Sequence, residues 1–141
     1  MGHLAPFLFI TKGEVEMEIK IGKKEYELRF GVLFNHTLDT FYKQEVEGVE
    51  FGMGLNMAYV YLQMENVTGV FNVIKAATSH LKSKPTASEI SQYIEERAIE
   101  DKGITKLSNE LLKAMKDSPF LSSQIKEMER GQKKVAKTTL H

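Results

Sequence analysis

Apolar and polar residues alternate along residues 15–30, which is the pattern of a strand pair with one buried face. The two runs flank Gly22-Lys23, and a Gly-X pair is a favoured two-residue hairpin turn because glycine accepts a positive φ. This turn predicts four cross-strand pairs: Ile21 with Lys24, Ile19 with Tyr26, Met17 with Leu28, and Val15 with Phe30. The hairpin therefore has an apolar face that the rest of the chain must cover.

Beyond the hairpin, apolar residues recur mostly at the spacing of amphipathic helices. The first helix is predicted over about residues 32–45, with its stripe at Phe34, Leu38, Phe41 and Tyr42. Residues 46–51 alternate again, which allows a short third strand before two glycines. Later helices are predicted around residues 55–62, 70–81, 90–98, 104–115 and 120–128.

Local signals indicate where several of these helices begin and end. Thr86-Ala87-Ser88-Glu89 has the spacing of a capping box, so a helix should start there. Residues 66–69 and Gly103 are predicted breaks, and Ser118-Pro119 fits an N-cap followed by proline. From Glu129 the periodicity is lost, which predicts a flexible basic tail over residues 129–141. The pattern as a whole predicts a mostly helical α+β domain, with the hairpin packed against about five to six helices.

Length and composition narrow the classes of protein. The 141 residues are 42% hydrophobic and 27% charged, as expected for one globular domain, here placed at residues 17–128. A formal net charge of zero argues against a nucleic-acid binder that relies on bulk positive charge. The chain has no cysteine, which excludes disulfides and thiol chemistry. No apolar run approaches the roughly 18 residues of a membrane span.

Residues 1–16 need a separate interpretation. The codons of Lys12-Gly13-Glu14 are compatible with a bacterial ribosome-binding sequence, and Met17 follows after a short spacer. Two alternatives stay open: Met17 is the natural start and residues 1–16 are a non-native leader, or Met1 is the start and the segment packs on the domain. The mass of the natively expressed protein distinguishes them.

The chain offers little catalytic chemistry. His3, His36, His80 and His141 are scattered, with no spacing that places two metal ligands on one helix face. The glycine-rich residues 48–55 lack the spacing and the lysine of a phosphate loop, so we interpret them as a strand-to-helix bend. We expect no catalytic residue, no cofactor and no metal, and therefore no enzyme.

Two features are relevant to binding. The end of the chain is rich in lysine, but no aromatic residues interleave to stack on bases, so a nucleic-acid contact is the weaker interpretation. Methionine adapts its shape to varied partners. The sequence leaves open whether the methionines fill the core or line a binding surface; they are Met53, Met57, Met64, Met115 and Met128.

The order of these elements resembles a known family. The segments that carry the resemblance are MEIKIGKKEYELRFGVLFNHTLDTFY, GVEFGMGL and KPTASEISQYIEE, at residues 17–42, 48–55 and 84–96. Together they are similar to the tail assembly chaperones of long-tailed phages and prophages of Gram-positive bacteria. The resemblance runs from Met17 to about Met115, and no single motif within it is specific by itself.

The resemblance implies a non-enzymatic assembly factor in the bacterial cytoplasm that is absent from the finished virion. It implies two partners, the long helical tape measure protein and the major tail tube protein. From the apolar pattern we predict partner binding at Tyr59, Phe71 and Ile74. We also predict a homo-oligomer whose edge is the hairpin, with Met17, Ile19, Tyr26 and Leu28. The alternative is a small regulatory or nucleic-acid-binding helical protein that uses the basic tail.

Overall fold

Two β-hairpins and six helices make up the part of the chain that the structure, a computed structural model, describes, residues 17–139. The strands are β1 (Met17–Ile21), β2 (Lys24–Leu28), β3 (Lys43–Val46) and β4 (Val49–Gly52). The helices are α1 (Val32–Phe41), α2 (Gly54–Gln63), α3 (Val67–Ala77), α4 (Ala87–Glu100), α5 (Thr105–Asp117) and α6 (Ser122–Thr139). The predicted class, a mostly helical α+β domain with an N-terminal hairpin, is confirmed.

The first hairpin has the predicted register. Met17 pairs with Leu28, Ile19 with Tyr26, and Ile21 with Lys24. Gly22 has a φ of 63°, which is the left-handed conformation that the turn requires. The fourth predicted pair involves Val15, which lies outside the described residues.

The apolar face of this hairpin is covered by helices, as its pattern requires. Ile19, Tyr26 and Leu28 are all buried in the common core, where β1 contacts α4 and β2 contacts α3. The chain leaving β2 is also joined to the end of α3, because the Arg29 amide donates to the Ala77 carbonyl at 2.9 Å. The hairpin is therefore an integral layer of the domain.

A second hairpin replaces part of the predicted first helix. Helix α1 ends at Phe41, so the prediction of helix up to residue 45 was wrong, and Lys43–Val46 forms β3. The predicted third strand at residues 46–51 is instead the tip of the β3–β4 hairpin together with most of β4. Glu47 and Gly48 have φ values of 52° and 80°. Positive φ at both central residues is the type I′ turn that joins antiparallel strands, and it overrides the weak helical pattern.

The middle helices begin and end close to their predicted limits. Thr86 and Glu89 form the predicted capping box, with hydrogen bonds of 3.1 Å and 2.8 Å, and α4 starts there. The predicted break at residues 66–69 was too long, because α3 already begins at Val67. Asn66 caps it by accepting a hydrogen bond from the Gly69 amide at 3.0 Å.

The last helix differs from its prediction at both ends. Ser118 and Pro119 form a turn after α5, and α6 begins at Ser122. The helix thus begins three residues after Pro119, and the Ser118 hydroxyl donates to the Phe30 carbonyl at 3.3 Å, so Ser118 and Pro119 are not the N-cap and first helical residue that we predicted. Helix α6 continues to Thr139, whereas we expected the helix to end near Glu129. The flexibility of residues 129–141 stays a prediction.

One hydrophobic core joins the first hairpin to all six helices. Its largest fully buried side chains are Phe30, Phe34, Leu28, Leu38, Leu62, Ile74, Ile90, Leu107, Leu111, Met115, Leu121 and Ile125. Arg97 links α4 to α5 at the edge of this core through an ion pair with Glu110 at 2.7 Å, and it also pairs with Asp101 at the end of its own helix at 2.9 Å. Among the described residues, no helix is long and apolar enough to cross a membrane.

Candidate functional site

The predicted partner-binding residues lie in three different environments. Ile74 is fully buried in the core, and Tyr59 is 4% exposed on α2. Phe71 is partly buried and lines a small cavity of about 250 Å³ beside Ile94 of α4. The structure does not bring the three together on one surface. A partner could contact Phe71 and the outer edge of Tyr59, but not Ile74. Their role in binding stays a prediction.

The predicted oligomer edge has its side chains in the core. Ile19, Tyr26 and Leu28 are at most 3% exposed, and Met17 is partly buried against them. These side chains hold the hairpin to the helices, so a subunit that joined this edge would pair with its backbone. Self-association through the hairpin stays a prediction.

The glycine-rich segment makes the strand-to-helix bend that we predicted. A Cβ atom on Gly52 would lie 2.4 Å from the carboxyl carbon of Asp39, and one on Gly54 would lie 2.5 Å from the Leu38 backbone. Gly52 therefore lets the end of β4 approach α1 closely, and Gly54 does the same for the start of α2. Asp39 also accepts a hydrogen bond from the Gly54 amide at 2.8 Å, which satisfies one free amide at the start of α2.

A surface groove lies between α2 and α6. Two contacts hold the helices on either side of it: Tyr59 donates to Glu129 at 3.1 Å, and Gln63 and Gln132 exchange two amide hydrogen bonds. These pairs advance in the same order along both helices, so the helices run in the same direction. We call this feature the α2–α6 groove.

One half of the α2–α6 groove is apolar. Its volume is about 560 Å³, and its lining is Asn56, Tyr59, Val60, Met128, Gly131, Gln132 and Val135. Val60 is 37% exposed and Val135 is 66% exposed, so apolar side chains here face solvent. Gly131 widens the groove because it has no side chain. An apolar side chain in this half would lose contact with water, which is the main driving force of such binding.

The other half is polar and continues from the first. It has a volume of about 320 Å³ and shares Asn56 and Met128 with the apolar half. Its polar side chains, besides Asn56, are Asn35, Asp39, Gln124 and Glu127. The Asn35 side-chain oxygen is buried and accepts no hydrogen bond in the structure. This half therefore presents two carboxylates and three amide side chains, and no cationic side chain lines it.

An ion pair and a tyrosine hydroxyl connect the helices at the base of the groove. Lys116 of α5 pairs with Glu129 at 2.8 Å, and this contact lowers the pKa of the Glu129 carboxyl. Burial, with Glu129 beside the hydroxyl, raises the pKa of Tyr59 to about 12. Tyr59 is thus a neutral hydrogen-bond donor at neutral pH. These groups fix α6 against α2 and α5.

The described residues contain no group of three or more metal-ligating side chains that could hold an ion. His36 is exposed on α1, and His80 follows α3. His3 and His141 lie outside the described residues. We take the α2–α6 groove as the candidate binding site because it combines exposed apolar side chains with polar ones.

Most of this groove was not predicted from the sequence. Tyr59 was a predicted binding residue, but residues 129–141 were predicted to be a flexible tail. A signal was present: Met128, Gln132 and Val135 recur at spacings of four and three residues, which is one face of a helix. Met115 lies in the core and Met128 lines the groove, and a role of Met128 in binding stays a prediction.

Comparison with known proteins identifies the family. The profile of the family described as "phage tail assembly chaperone protein, TAC" matches residues 18–129, which is most of the chain. No match was found among the curated proteins or among the solved structures. The profile match covers both hairpins, α1 to α5 and the first part of α6. On this match, the protein belongs to the phage tail assembly chaperone family.

Proposed function

We propose that the protein binds the tape measure protein, keeps it soluble and helps to recruit tail tube subunits during tail assembly in the host cytoplasm. The role is one of binding, without catalysis. The observation that carries the proposal is the family match over residues 18–129. The resemblance of residues 17–42, 48–55 and 84–96 to tail assembly chaperones supports the same clients.

The α2–α6 groove gives this role a physical basis. A long helical client has apolar stripes that are exposed until the tail is built, and exposed stripes drive aggregation. An apolar groove of about 560 Å³ can cover part of such a stripe. Covering it would hold the client in solution while leaving its other faces free.

Self-association would let several subunits cover one long client. The tip of the second hairpin is exposed, with Val46 at 48% and Val49 at 54%. The first hairpin has an edge strand whose backbone can pair with another chain. We therefore propose a homo-oligomer along the client.

Co-expression tests the proposal directly. The tape measure protein of the same phage or prophage is produced with the chaperone, with an unrelated helical protein of the same size, or alone. We expect the soluble fraction of the tape measure protein to be several-fold higher in the culture with the chaperone than in the other two. The two proteins should also elute together in gel filtration. An equal soluble fraction in all three cultures would contradict the proposal.

One observation favours the alternative of nucleic-acid binding. Lys126, Arg130 and Lys133 fall on one face of α6, at spacings of four and three residues. If this face bound nucleic acid, affinity for a DNA or RNA duplex would fall steeply as salt rises. We expect no such binding at physiological salt, and a filter-binding assay at two salt concentrations checks this.

A further inference from the structure

We propose that the α2–α6 groove binds one amphipathic helix of the tape measure protein, with a lysine or arginine of that helix seated in the polar half beside Asp39. The inference rests on the proposed function and adds to it the site, the shape of the bound segment and its orientation. Its support is the continuity of the two halves, their length and their charge.

The groove has the length of a short helix. Its lining runs from Gly54 to Val60 on α2 and from Gln124 to Val135 on α6, and the longer side spans 12 residues, or about 18 Å of helix. A bound helix of about three turns would place apolar residues at i, i+3, i+4 and i+7 over the apolar half. Val60, Met128 and Val135 would then lie beneath that stripe.

Two carboxylates and no cationic side chain line the polar half. The buried oxygen of Asn35 has no hydrogen-bond partner, and an unsatisfied buried acceptor is costly. Asp39 bonds to the Gly54 amide with one carboxylate oxygen. Glu127 pairs with Arg130, but both side chains are more than 60% exposed and such a pair is weak.

A cationic side chain suits this lining because it brings the opposite charge together with hydrogen-bond donors. Lysine brings three donors and arginine five, with no acceptor to repel the carboxylates. Asp39 and Glu127 supply the opposite charge. Because the polar half lies at one end of the groove, a single basic residue would also fix the direction of the bound helix.

A second copy of the chain is a poorer occupant. The apolar stripes of its helices are already in its own core, as Leu55, Leu62 and Ile74 are. The exposed apolar side chains of the described helices are scattered, for example Val32 and Ile99. A client helix that has not yet assembled keeps its whole stripe available.

Point variants in the groove test the inference. Val60→Glu and Val135→Glu place a carboxylate in the apolar half at side chains already exposed to solvent, so both should fold. Ile99→Glu is the matched control, because Ile99 is 80% exposed and does not line the groove. The probes are the full tape measure protein in co-expression, and overlapping 20-residue peptides from its sequence in a titration.

We expect both groove variants to weaken binding at least tenfold and the control to bind as the wild type does. The peptides that bind should have an apolar stripe with a lysine or arginine at one end. Glu127→Lys should weaken the binding of these peptides as well. Peptides in which the basic residue is changed to glutamate should recover part of the affinity for the Glu127→Lys variant. Circular dichroism of each variant confirms that it is folded.

The outcomes separate the inference from the function on which it rests. If the wild type does not solubilise the tape measure protein, the proposed function is wrong and the inference is wrong with it. If the wild type solubilises the tape measure protein and the folded groove variants do so equally well, the inference alone is wrong. If Val135→Glu instead abolishes self-association without the client, a second copy occupies the groove and the inference is also wrong.

Discussion

Replacing Gly54 by alanine tests whether the glycine-rich segment exists for close helix packing. The added Cβ would lie 2.5 Å from the Leu38 backbone carbon and 2.5 Å from the Asp39 amide nitrogen. Carbon atoms in contact normally lie about 3.5–4.0 Å apart. Both neighbours are backbone atoms, so the strain cannot be relieved by a side-chain rotation. Helix α2 must move away from α1 by about 1 Å.

The cost follows from what this movement disturbs. Overpacking of this kind costs about 1–3 kcal/mol. The hydrogen bond from the Gly54 amide to Asp39, 2.8 Å long, weakens as well and adds about 1 kcal/mol. Alanine recovers less than about 1 kcal/mol of helix propensity. The expected net loss is about 2 kcal/mol, which lowers the Tm of a domain of this size by about 8 °C.

Gly131→Ala is the matched control. Gly131 lies within α6, and a Cβ there would meet no atom within 4 Å. The same chemical change should therefore raise stability by about 0.5–1 kcal/mol through helix propensity. Thermal denaturation followed by circular dichroism measures both variants. An equal Tm for Gly54→Ala and the wild type would contradict close packing at Gly54. An equal loss of stability in both variants would contradict it as well.

Three further predictions concern stability. Arg97→Ala should lower the free energy of unfolding by about 2 kcal/mol in urea denaturation, because the 18%-exposed Arg97 side chain joins α4 to Glu110 of α5. Lys113→Ala is the control: it breaks a solvent-exposed pair and should lower the free energy of unfolding by at most about 0.5 kcal/mol. Thr86→Ala removes one bond of the capping box and should cost about 1 kcal/mol in the same assay. The pKa of Tyr59 is raised to about 12 in the folded chain, against about 10 when unfolded, so stability should fall as pH rises from 10 to 12. In Tyr59→Phe this fall should be shallower, and an unchanged slope would contradict the assignment.

The elements that were predicted well are those whose signals are local. The register of the first hairpin followed from one turn and the alternation on both sides of it. The capping box at Thr86 and Glu89 requires two side chains three residues apart, and it formed as predicted. Such contacts depend on few residues, so the surrounding fold rarely changes them.

The errors arose where local signals were ambiguous. Phe41 and Tyr42 fit a helical stripe, yet the turn at Glu47 and Gly48 draws residues 43–46 into a strand. At the other end, the lysine-rich sequence after Glu129 has few apolar residues, and we took this as the end of the helix. The structure shows that the last helix continues to Thr139.

The candidate site was the least accessible to sequence reasoning. Tyr59 and Glu129 meet across 70 residues of chain, and Gln63 and Gln132 across 69. No periodicity or spacing relates positions so far apart. The polar half of the groove likewise depends on where α1, α2 and α6 meet.

The amino-acid sequence by itself determined the first hairpin, most helix positions and the family of this protein. These follow from period-two and period-3.6 burial, from turn and cap chemistry, and from the order of the segments. Only the tertiary structure decided that α6 lies along α2, that Ile74 and the hairpin side chains are core, and that a groove is left open. The physical reason is that a groove is the space between helices, and its shape depends on long-range packing of side chains.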